Sequence, residues 1–382
     1  MKVLVSTPGI FHAFQLANQL QKRDYLDRII TGYPKFLLSK WRLNVKKEKI
    51  ESVPIQVLRH PFSAIGLDKN IIKYLLAEIF DKCVSKKIGE VDIFVGFSGF
   101  SLHSIKKAKK KKIITVLERG SSHVLYQKKI LEEEYEKFGI KKEVIDKRIV
   151  EKELKEYEIV DYISVPSEFV KRSFIEYGVD ESKIIKVPYG ADIKVFKQLP
   201  KKDDVFRIIF VGGLCFDKGL FYLLEAFKQL KLPNSELVVI GKIRDPNIKF
   251  LLKKYANYFT YIPHVSHNEL YKFYSNSSVF VLPSIQEGLA LVILEAMSCG
   301  LPVIISENTG GGDIVKNGVN GFVVPIRNIE AIKEKIKFFY YNEEKRRKFG
   351  ERAREYVKKG FTWDDYGKKM IENYIKIIEK RK

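Results

Sequence analysis

Cysteine is scarce in this chain of 382 residues, with only Cys83, Cys215 and Cys299, which lie far apart in the sequence. Such spacing excludes a disulfide framework and a Cys-x-x-Cys zinc site, and it fits a reducing compartment. Long apolar runs are also missing, since no stretch approaches the roughly 20 residues that cross a bilayer. The first residues read as a strand and not as a signal peptide. We therefore predict a cytoplasmic protein without transmembrane segments.

Acidic residues are outnumbered, because 47 Asp and Glu stand against 69 Lys and Arg and leave a formal charge of +22. The excess is largest in residues 1–112, which contain 22 basic and 9 acidic side chains. Most of the lysines in Lys106–Lys112 are consecutive, and an apolar strand follows them. This cluster is either a solvated helix end, where cations suit the helix dipole, or a contact for an anionic membrane surface or acceptor.

Short β-branched runs recur at spacings that leave room for one helix between them, which is typical of parallel βαβ units. The predicted strands are 3–6, 91–95, 112–117, 162–165, 206–211, 236–240, 260–262, 279–282, 303–305 and 322–324. The length alone favours two domains. We therefore predict an α/β fold with two doubly wound parallel sheets.

The boundary between the two domains is expected near residue 200, where the polar connector 198–204 separates the two series of strands. The predicted domains are residues 1–199 and residues 200–360. A last amphipathic helix within 361–382 can pack on the second domain or cross to the first, and the sequence does not choose. The charged, periodic stretch Glu132–Glu158 predicts a pair of solvent-exposed helices interrupted at Gly139.

The densest chemical signal follows the predicted strand 279–282. That strand ends at Pro283, a turn contains Glu287 and Gly288, and a helix begins near Leu289. Open amides and the helix dipole at such a junction hold phosphate groups at the carboxyl edge of a parallel sheet. The segment therefore predicts a ligand that carries phosphate.

Glu295 lies about two turns into that helix and reaches a ligand's sugar hydroxyls only if the ligand lies along the helix flank. Its spacing alone favours an ordinary surface acid. Glu287 and Glu295 could also form the carboxylate pair of a glycoside hydrolase, but geometry and not sequence spacing defines such a pair. A phosphate-type loop has no evident purpose in a hydrolase, which disfavours that alternative.

Four ordered motifs resemble the signature of family 4 of the retaining, nucleotide-sugar-dependent glycosyltransferases. They are the E-x7-E pair Glu287 and Glu295, the segments 164–170 and 188–192, the loop 210–214 with Lys218-Gly219, and the turn 317–322. Together they cover most of residues 160–325 in the family's order. The resemblance implies a GT-B architecture, in which two Rossmann-like domains face each other across a cleft and the second binds most of the donor.

The resemblance also implies roles for individual residues. Glu295 would bind the ribose of a nucleotide-sugar donor, Glu287 the transferred sugar, and Lys218 the diphosphate. The other donor-binding positions it implies are Gly9, Gly212, Gly213, Gly288, Leu289 and Ala290. An ammonium and helix amides stabilise the charge of a departing diphosphate, so neither a metal nor another cofactor is expected.

One position departs from the family pattern. Family members often have an arginine directly after the glycine of the phosphate loop, and here that position is Gly213. Lys218 must then carry more of the phosphate charge, or another cation must substitute for the arginine.

In the first domain, His123 follows a predicted strand at the place where family members often have a histidine beside the reacting sugar. An isolated histidine is commonly structural, but the resemblance makes His123 the candidate catalytic residue together with Glu287 and Lys218. His12, near the glycine turn at Gly9, is a second candidate on the acceptor side.

We therefore predict a metal-independent, retaining hexosyltransferase of polysaccharide or cell-envelope biosynthesis, with a glycan or lipid-linked acceptor. A peripheral membrane contact through Lys106–Lys112 stays open as the alternative to a solvated helix end. The alternatives are a GT-B sugar-nucleotide epimerase and a basic nucleic-acid-binding protein. The latter ranks last because no reader motif accompanies the positive charge. The nucleotide base, the sugar and the acceptor stay open.

Overall fold

Two parallel sheets organise the computed structural model, which describes residues 1–10, 12–38, 44–64 and 67–381. The first sheet has seven strands in the order β3-β2-β1-β4-β5-β6-β7. Their bounds are β1 Val3–Thr7, β2 Leu26–Thr31, β3 Ile50–Ser52, β4 Ile93–Phe97, β5 Ile114–Glu118, β6 Tyr162–Val165 and β7 Ile184–Lys186. The order reverses between β1 and β4, which creates a crevice at the carboxyl ends of these strands.

The second sheet has six strands in the order β10-β9-β8-β11-β12-β13. Their bounds are β8 Phe206–Val211, β9 Ser235–Ile240, β10 Thr260–Ile262, β11 Val279–Leu282, β12 Val303–Ser306 and β13 Gly321–Val324. Its order reverses between β8 and β11, so the loops after these two strands flank the second crevice. The predicted α/β class with two parallel sheets is confirmed.

Helices cover both faces of each sheet, as continuously apolar parallel strands require. The helices before β8 are α1 Ala13–Gln21, α2 Lys35–Leu38, α3 Arg59–Ala64, α4 Lys69–Lys86, α5 Leu102–Lys110, α6 Val124–Lys137, α7 Lys147–Ile159 and α8 Glu168–Glu176. Those after it are α9 Leu220–Leu230, α10 Lys249–Lys254, α11 Leu270–Ser275, α12 Leu291–Ser298, α13 Ile329–Tyr341, α14 Glu343–Lys358 and α15 Trp363–Glu379.

The prediction that the helices within Glu132–Glu158 are solvent-exposed holds for one face of each helix only, where Glu133, Glu151 and Lys155 are exposed. Glu134 on α6 and Glu156 on α7 are fully buried, and Lys152 on α7 is nearly so. Each has partners that replace water: Glu156 accepts from the backbone N–H groups of Gly99 and Ser101 at 2.6 and 2.7 Å. Ionisable side chains are buried only where such partners exist, and these partners come from distant parts of the chain.

The last helix, α15, packs against α1 of the first domain. Thr362, the N-cap of α15, forms a capping box with Asp365, and Asp364 pairs with Arg23 of the first domain at 2.8 Å. Close packing at Gly367 continues this contact, because a methyl group there would overlap the side chain of Gln19 on α1. Lys382 lies outside the described residues. The chain therefore crosses back and ties its C-terminal end to the first domain.

Lys106–Lys112 forms the end of α5 and the turn before β5, at the amino edge of the first sheet. This is the opposite edge from the crevice between β1 and β4. Two of its lysines have partners, since Lys109 pairs with Asp161 at 2.9 Å and Lys111 donates to the Ile88 carbonyl at 2.8 Å. Across the described ranges, no helix is both long and apolar enough to cross a membrane.

Candidate active site

The carboxyl edges of the two sheets meet at Gly120, after β5, and Gly288, after β11. A methyl group on Gly288 would overlap the carbonyl oxygen of Gly120, so the backbones of the two domains are in direct contact there. Gln286 donates to the hydroxyl of Ser121 at 2.8 Å beside this contact. Residues of the crevice in one domain are thus brought within reach of those in the other.

Arg119 holds the first-domain loop that provides Gly120 and Ser121. Its guanidinium donates twice to the Ser122 carbonyl, at 3.1 and 2.9 Å, and pairs with Glu153 at 2.9 Å. Arg119 and Glu153 are both buried. Charge-assisted bonds of this kind are strong and geometrically specific, so this pair fixes the loop. Sequence reasoning did not single out Arg119.

The loop after β8 brings Lys218 to the crevice of the second sheet. Gly219 follows it with φ of +63°, and a methyl group there would overlap the carbonyl oxygen of Pro283. Only glycine meets both demands easily. The Ile285 N–H donates to the Asp217 carbonyl at 2.8 Å. These contacts hold the loops after β8 and β11 together.

Lys218 and Glu287 form an ion pair between those two loops. The Ser284 hydroxyl donates to the same carboxylate at 3.3 Å. Burial acts to lower the pKa of Lys218, but the charges of Glu287 and Asp217 outweigh it and raise the pKa above its ordinary value. Lys218 therefore presents a stable positive charge, and Glu287 holds it in place. The structure brings together these two predicted site residues.

The amides predicted to face a diphosphate are not equivalent. The Ala290 N–H donates to the carbonyl of Thr309 at 3.3 Å, and the Glu287 N–H donates to that of Asn308 at 2.8 Å. Within the described part of the chain, no acceptor engages the N–H groups of Gly288 and Leu289. Helix α12 begins just after them, so among the three predicted amides those of Gly288 and Leu289 are available to an anion.

Glu295 is not the surface acid that its spacing favours. It is about 4% exposed, because α12 turns this face toward α11. Its carboxylate bonds to His267 Nε2 at 2.8 Å and lies 3.4 Å from the Tyr274 hydroxyl. The hydrogen bond to Glu295 raises the pKa of His267. His267 was not predicted, because its loop and Glu295 are 28 positions apart and no motif links them.

His123 lies in the core of the first domain. Its ring stacks on Tyr177 with a centroid distance of 4.7 Å and touches Tyr157 and Phe174. As the N-cap of α6, its Nδ1 accepts from the Leu125 N–H at 3.3 Å. Burial, aided by the charge of Arg119, lowers the pKa of His123 to about 4. This placement favours a structural, neutral histidine.

His12 lies beside the domain contact instead. Its Nε2 bonds to the buried carboxylate of Glu118 at 2.9 Å, and its ring packs on Tyr189. A methyl group on Gly120 would lie 3.7 Å from the His12 ring. The glycine turn at Gly9 precedes it and is closed by Thr7, whose hydroxyl donates to the Gly9 carbonyl at 3.0 Å. Of the two candidate histidines, His12 is therefore the one near Gly288.

Two predicted glycines lie at the end of β8. Gly212 donates to the Ile240 carbonyl at 3.0 Å, and its own carbonyl would be overlapped by a methyl group on Gly241. At Gly213, a methyl group would overlap the side chain of Arg244, which comes from the loop after β9. The loops after β8 and β9 are thus packed backbone against backbone.

The second domain matches a known family: residues 192–356 fit the model of the glycosyl transferases group 1. An uncharacterized glycosyltransferase of Methanocaldococcus jannaschii is 34% identical over 156 residues, 41% of this chain and 44% of that protein. The UDP-Gal:alpha-D-GlcNAc-diphosphoundecaprenol alpha-1,3-galactosyltransferase of Escherichia coli is 32% identical over 173 residues, 41% of this chain and 45% of that protein. The chain thus spans less than half the length of either relative.

Solved structures match the chain over nearly its whole length. Sucrose-phosphate synthase from Thermosynechococcus elongatus superposes with a TM-score of 0.74 at 18% identity, covering 99% of this chain and 100% of that one. Anabaena Alr3699/HepE in complex with UDP gives 0.72 at 14% identity, covering 98% and 100%. The architecture is therefore GT-B. The chain is a GT-B protein whose second domain is related in sequence to glycosyltransferases.

Proposed function

We propose that this protein is a glycosyltransferase that moves a sugar from a nucleoside-diphosphate sugar to a glycan or lipid-linked acceptor. The observation that carries the proposal is the placement of Lys218, Glu287 and Glu295 around the crevice between β8 and β11. A cation, two free amides and two carboxylates there suit the phosphates and hydroxyls of such a donor. The first domain closes the crevice at Gly120.

Each group has a distinct task in this proposal. Lys218 and the amides of Gly288 and Leu289 stabilise the negative charge that develops as the diphosphate departs. Glu287 binds the hydroxyls of the transferred sugar, and Glu295 accepts from the ribose hydroxyls in place of His267. His12, held by Glu118, lies on the side from which the acceptor would approach.

The comparisons support the donor and acceptor classes. The E. coli relative is named for a UDP-galactose donor and a diphosphoundecaprenol-linked acceptor, and the structural neighbour from Anabaena contains UDP. We extend these classes to this chain, and with them a role in polysaccharide biosynthesis. A transferase is preferred over a sugar-nucleotide epimerase because the matched family and both sequence relatives are named as glycosyltransferases.

We further propose that transfer retains the anomeric configuration and needs no metal ion. Lys218 and the free amides supply the charge that a metal would otherwise supply. Activity should therefore survive EDTA, and NMR of the first-formed product should show the donor's anomeric configuration. Complete loss of activity that magnesium or manganese restores would overturn the metal-independent part alone.

The deciding experiment for the proposed function begins with a thermal-shift screen of UDP, GDP and ADP. A ligand at 100 times its Kd adds about 2.7 kcal/mol to the free energy of unfolding. The protein is then incubated with sugar nucleotides that contain a stabilising nucleoside diphosphate, with and without acceptor glycans. Transfer that depends on the acceptor supports the proposal, whereas interconversion of the sugar without an acceptor identifies an epimerase. A protein that no nucleoside diphosphate stabilises has neither activity.

The final part of the proposal is peripheral membrane contact through the exposed lysines of Lys106–Lys112. Each lysine near an anionic surface contributes about 1 kcal/mol, and four of the six have no ion pair or hydrogen bond from their ammonium group within the described residues. Sedimentation with anionic vesicles should fall with added salt and when Lys106, Lys107, Lys110 and Lys112 are changed to Gln. Equal sedimentation of the two proteins would show that the cluster is a solvated helix end.

A further inference from the structure

The charge on Lys218 is partly neutralised before any ligand arrives, because Glu287 pairs with it. A nucleoside diphosphate brings at least two negative charges to the same loop, so one partly neutralised ammonium and two neutral amides leave part of that charge without a cationic partner. A second cation close to the loop after β8 would supply what is missing.

Arg244 lies directly over that loop. An ideal Cβ on Gly213 would overlap the Cδ and Nε atoms of Arg244 and would lie 2.9 Å from its Cγ. The absence of a side chain at Gly213 is therefore what admits the arginine. The backbone of Gly213 has no positive φ, so a side chain at this position would meet Arg244 and not a backbone constraint.

The backbone fixes Arg244 in this place. Leu214 donates to the Lys242 carbonyl at 2.8 Å, and the Arg244 N–H donates to the Leu214 carbonyl at 2.9 Å. These bonds continue the parallel pairing of β8 and β9 beyond the sheet edge. The base of the Arg244 side chain is thus as well positioned as the phosphate loop itself.

The guanidinium of Arg244 has no ion pair or hydrogen bond with any of the residues that the structure describes, and the residue is exposed. The adjacent acid does not neutralise it, because Asp245 is buried and bonds to Tyr135 and Lys142 from the first domain. Those bonds also place this loop at the boundary between the domains. Arg244 therefore offers an uncompensated charge beside the crevice.

We propose that Arg244 is a second diphosphate-binding residue, which reaches the donor through the space left free at Gly213. A guanidinium suits this task because its planar donors bind phosphate oxygens in pairs. The inference rests on the proposed function and adds to it a specific cation from the loop after β9.

The first test compares nucleotide binding by the full-length protein and Arg244→Gln, using isothermal titration with UDP, GDP and ADP. Loss of a charge-assisted phosphate contact should weaken diphosphate binding by about ten- to a hundredfold. Lys249→Gln is the matched control, since it removes one exposed positive charge from the nearby start of α10 and should bind like the wild type. Unchanged affinity in Arg244→Gln would overturn the inference.

The second test moves the cation. In the double variant Gly213→Arg with Arg244→Ala, the new side chain starts from the space that Arg244 vacates, and it should recover most of the lost affinity. Gly213→Arg alone should bind poorly, because both side chains compete for one space. A double variant that folds with the wild-type melting temperature but binds no better than Arg244→Ala would contradict the shared position.

The outcomes separate this inference from the proposed function. If the wild type binds none of the three diphosphates, both fail. If the wild type binds one of them and Arg244→Gln binds it equally well, only the inference about Arg244 fails, and Lys218 is the sufficient cation.

Discussion

Glu295 of α12 and His267 of the loop after β10 form a buried-to-exposed pair, in which the carboxylate is 6% and the imidazole 65% accessible and the two are 2.8 Å apart. The carboxylate is thus prepared in advance, with its orientation fixed by Tyr274 and by a partner at the surface. A ligand that approaches from solvent can replace the histidine without opening the core.

We expect Glu295→Gln to weaken nucleotide binding by about 1 to 3 kcal/mol, since a neutral amide replaces a carboxylate that accepts from two ribose hydroxyls. Isothermal titration with the nucleotide that stabilises the wild type measures this change. Glu269→Gln, an exposed acid in the same region, is the control and should bind normally. If both variants bind like the wild type, Glu295 does not belong to the site.

Nucleotide affinity should also rise with pH through the titration of His267. Glu295 raises the pKa of His267 above 6.5, so the charged pair is intact below 6.5 and is lost as pH rises through the raised value. A weaker pair competes less with the ribose. Nucleotide affinities measured at about pH 6 and about pH 8 should therefore differ more in the wild type than in His267→Gln. The nucleotide's own titration affects both proteins equally, so the comparison between them removes it. Equal differences would exclude this competition.

The sequence predicts those parts of the site that are local in the chain. Glu287 lies in a strand–turn–helix segment, and Lys218 lies in a glycine loop after a strand. Such junctions indicate phosphate chemistry whatever the rest of the fold does. The ion pair between Lys218 and Glu287, by contrast, depends on β8 and β11 being neighbours in the sheet, which no local sequence pattern predicts.

The residues that the sequence did not reveal are those whose partners meet only in three dimensions. His267 and Arg244 lie on surface loops without a motif, and their meaning comes from Glu295 and Gly213 on other loops. The burial of Glu134 was missed for the same reason, because a charged helix is normally exposed unless distant groups satisfy it.

Strands were missed where the apolar run is short or broken. In β2 the charged pair Asp27 and Arg28 follows the first residue, Leu26. β3 and β7 have three residues each. Their pairing with β1 and β6 stabilises them, so their own propensity is a weak guide. The predicted strands differ from the observed ones by two residues or fewer at either end.

Lys218→Ala should lower kcat by about a hundred- to thousandfold, with a smaller change in KM, because the ammonium is worth most when the diphosphate departs. Lys218→Arg keeps the charge and should recover part of the rate. Lys231→Ala, at the other end of α9, is the control and should have the wild-type kcat and KM. Steady-state kinetics of the three variants decide the matter, and a kcat unchanged in Lys218→Ala would assign the task to another cation.

His123→Asn should make the protein less sensitive to mild acid. The pKa of His123 is lowered to about 4 from 6.5, so between these values the unfolded chain binds a proton that the folded chain does not. The contribution of His123 to the free energy of unfolding is therefore fully present above pH 6.5 and is lost as the pH falls toward 4. Urea unfolding across this range should show a smaller loss in His123→Asn than in the wild type or in His264→Asn, which changes an exposed histidine. Parallel curves would contradict the burial argument.

The last prediction concerns the bonds that hold the domains together away from the crevice. Glu134 on α6 accepts from the Tyr222 hydroxyl at 2.9 Å and from Arg327 Nε at 2.7 Å, both in the second domain. Glu133 also pairs with Arg327, at 3.6 Å, but is 45% exposed. Arg327 therefore forms a buried ion pair with Glu134 and a solvent-screened ion pair with the adjacent Glu133.

Removing one partner of a buried ion pair costs about 3 to 5 kcal/mol, whereas an exposed pair contributes about 0 to 1 kcal/mol. We expect Glu134→Ala to lower the unfolding free energy strongly and to enlarge the radius of gyration in solution scattering as the domains separate. Glu133→Ala should change neither. Arg327→Ala combined with Glu134→Ala should be less damaging than the sum of the two single changes, because each variant removes the same bond. Additive losses would show that Glu134 and Arg327 act independently and that the domains are held together elsewhere.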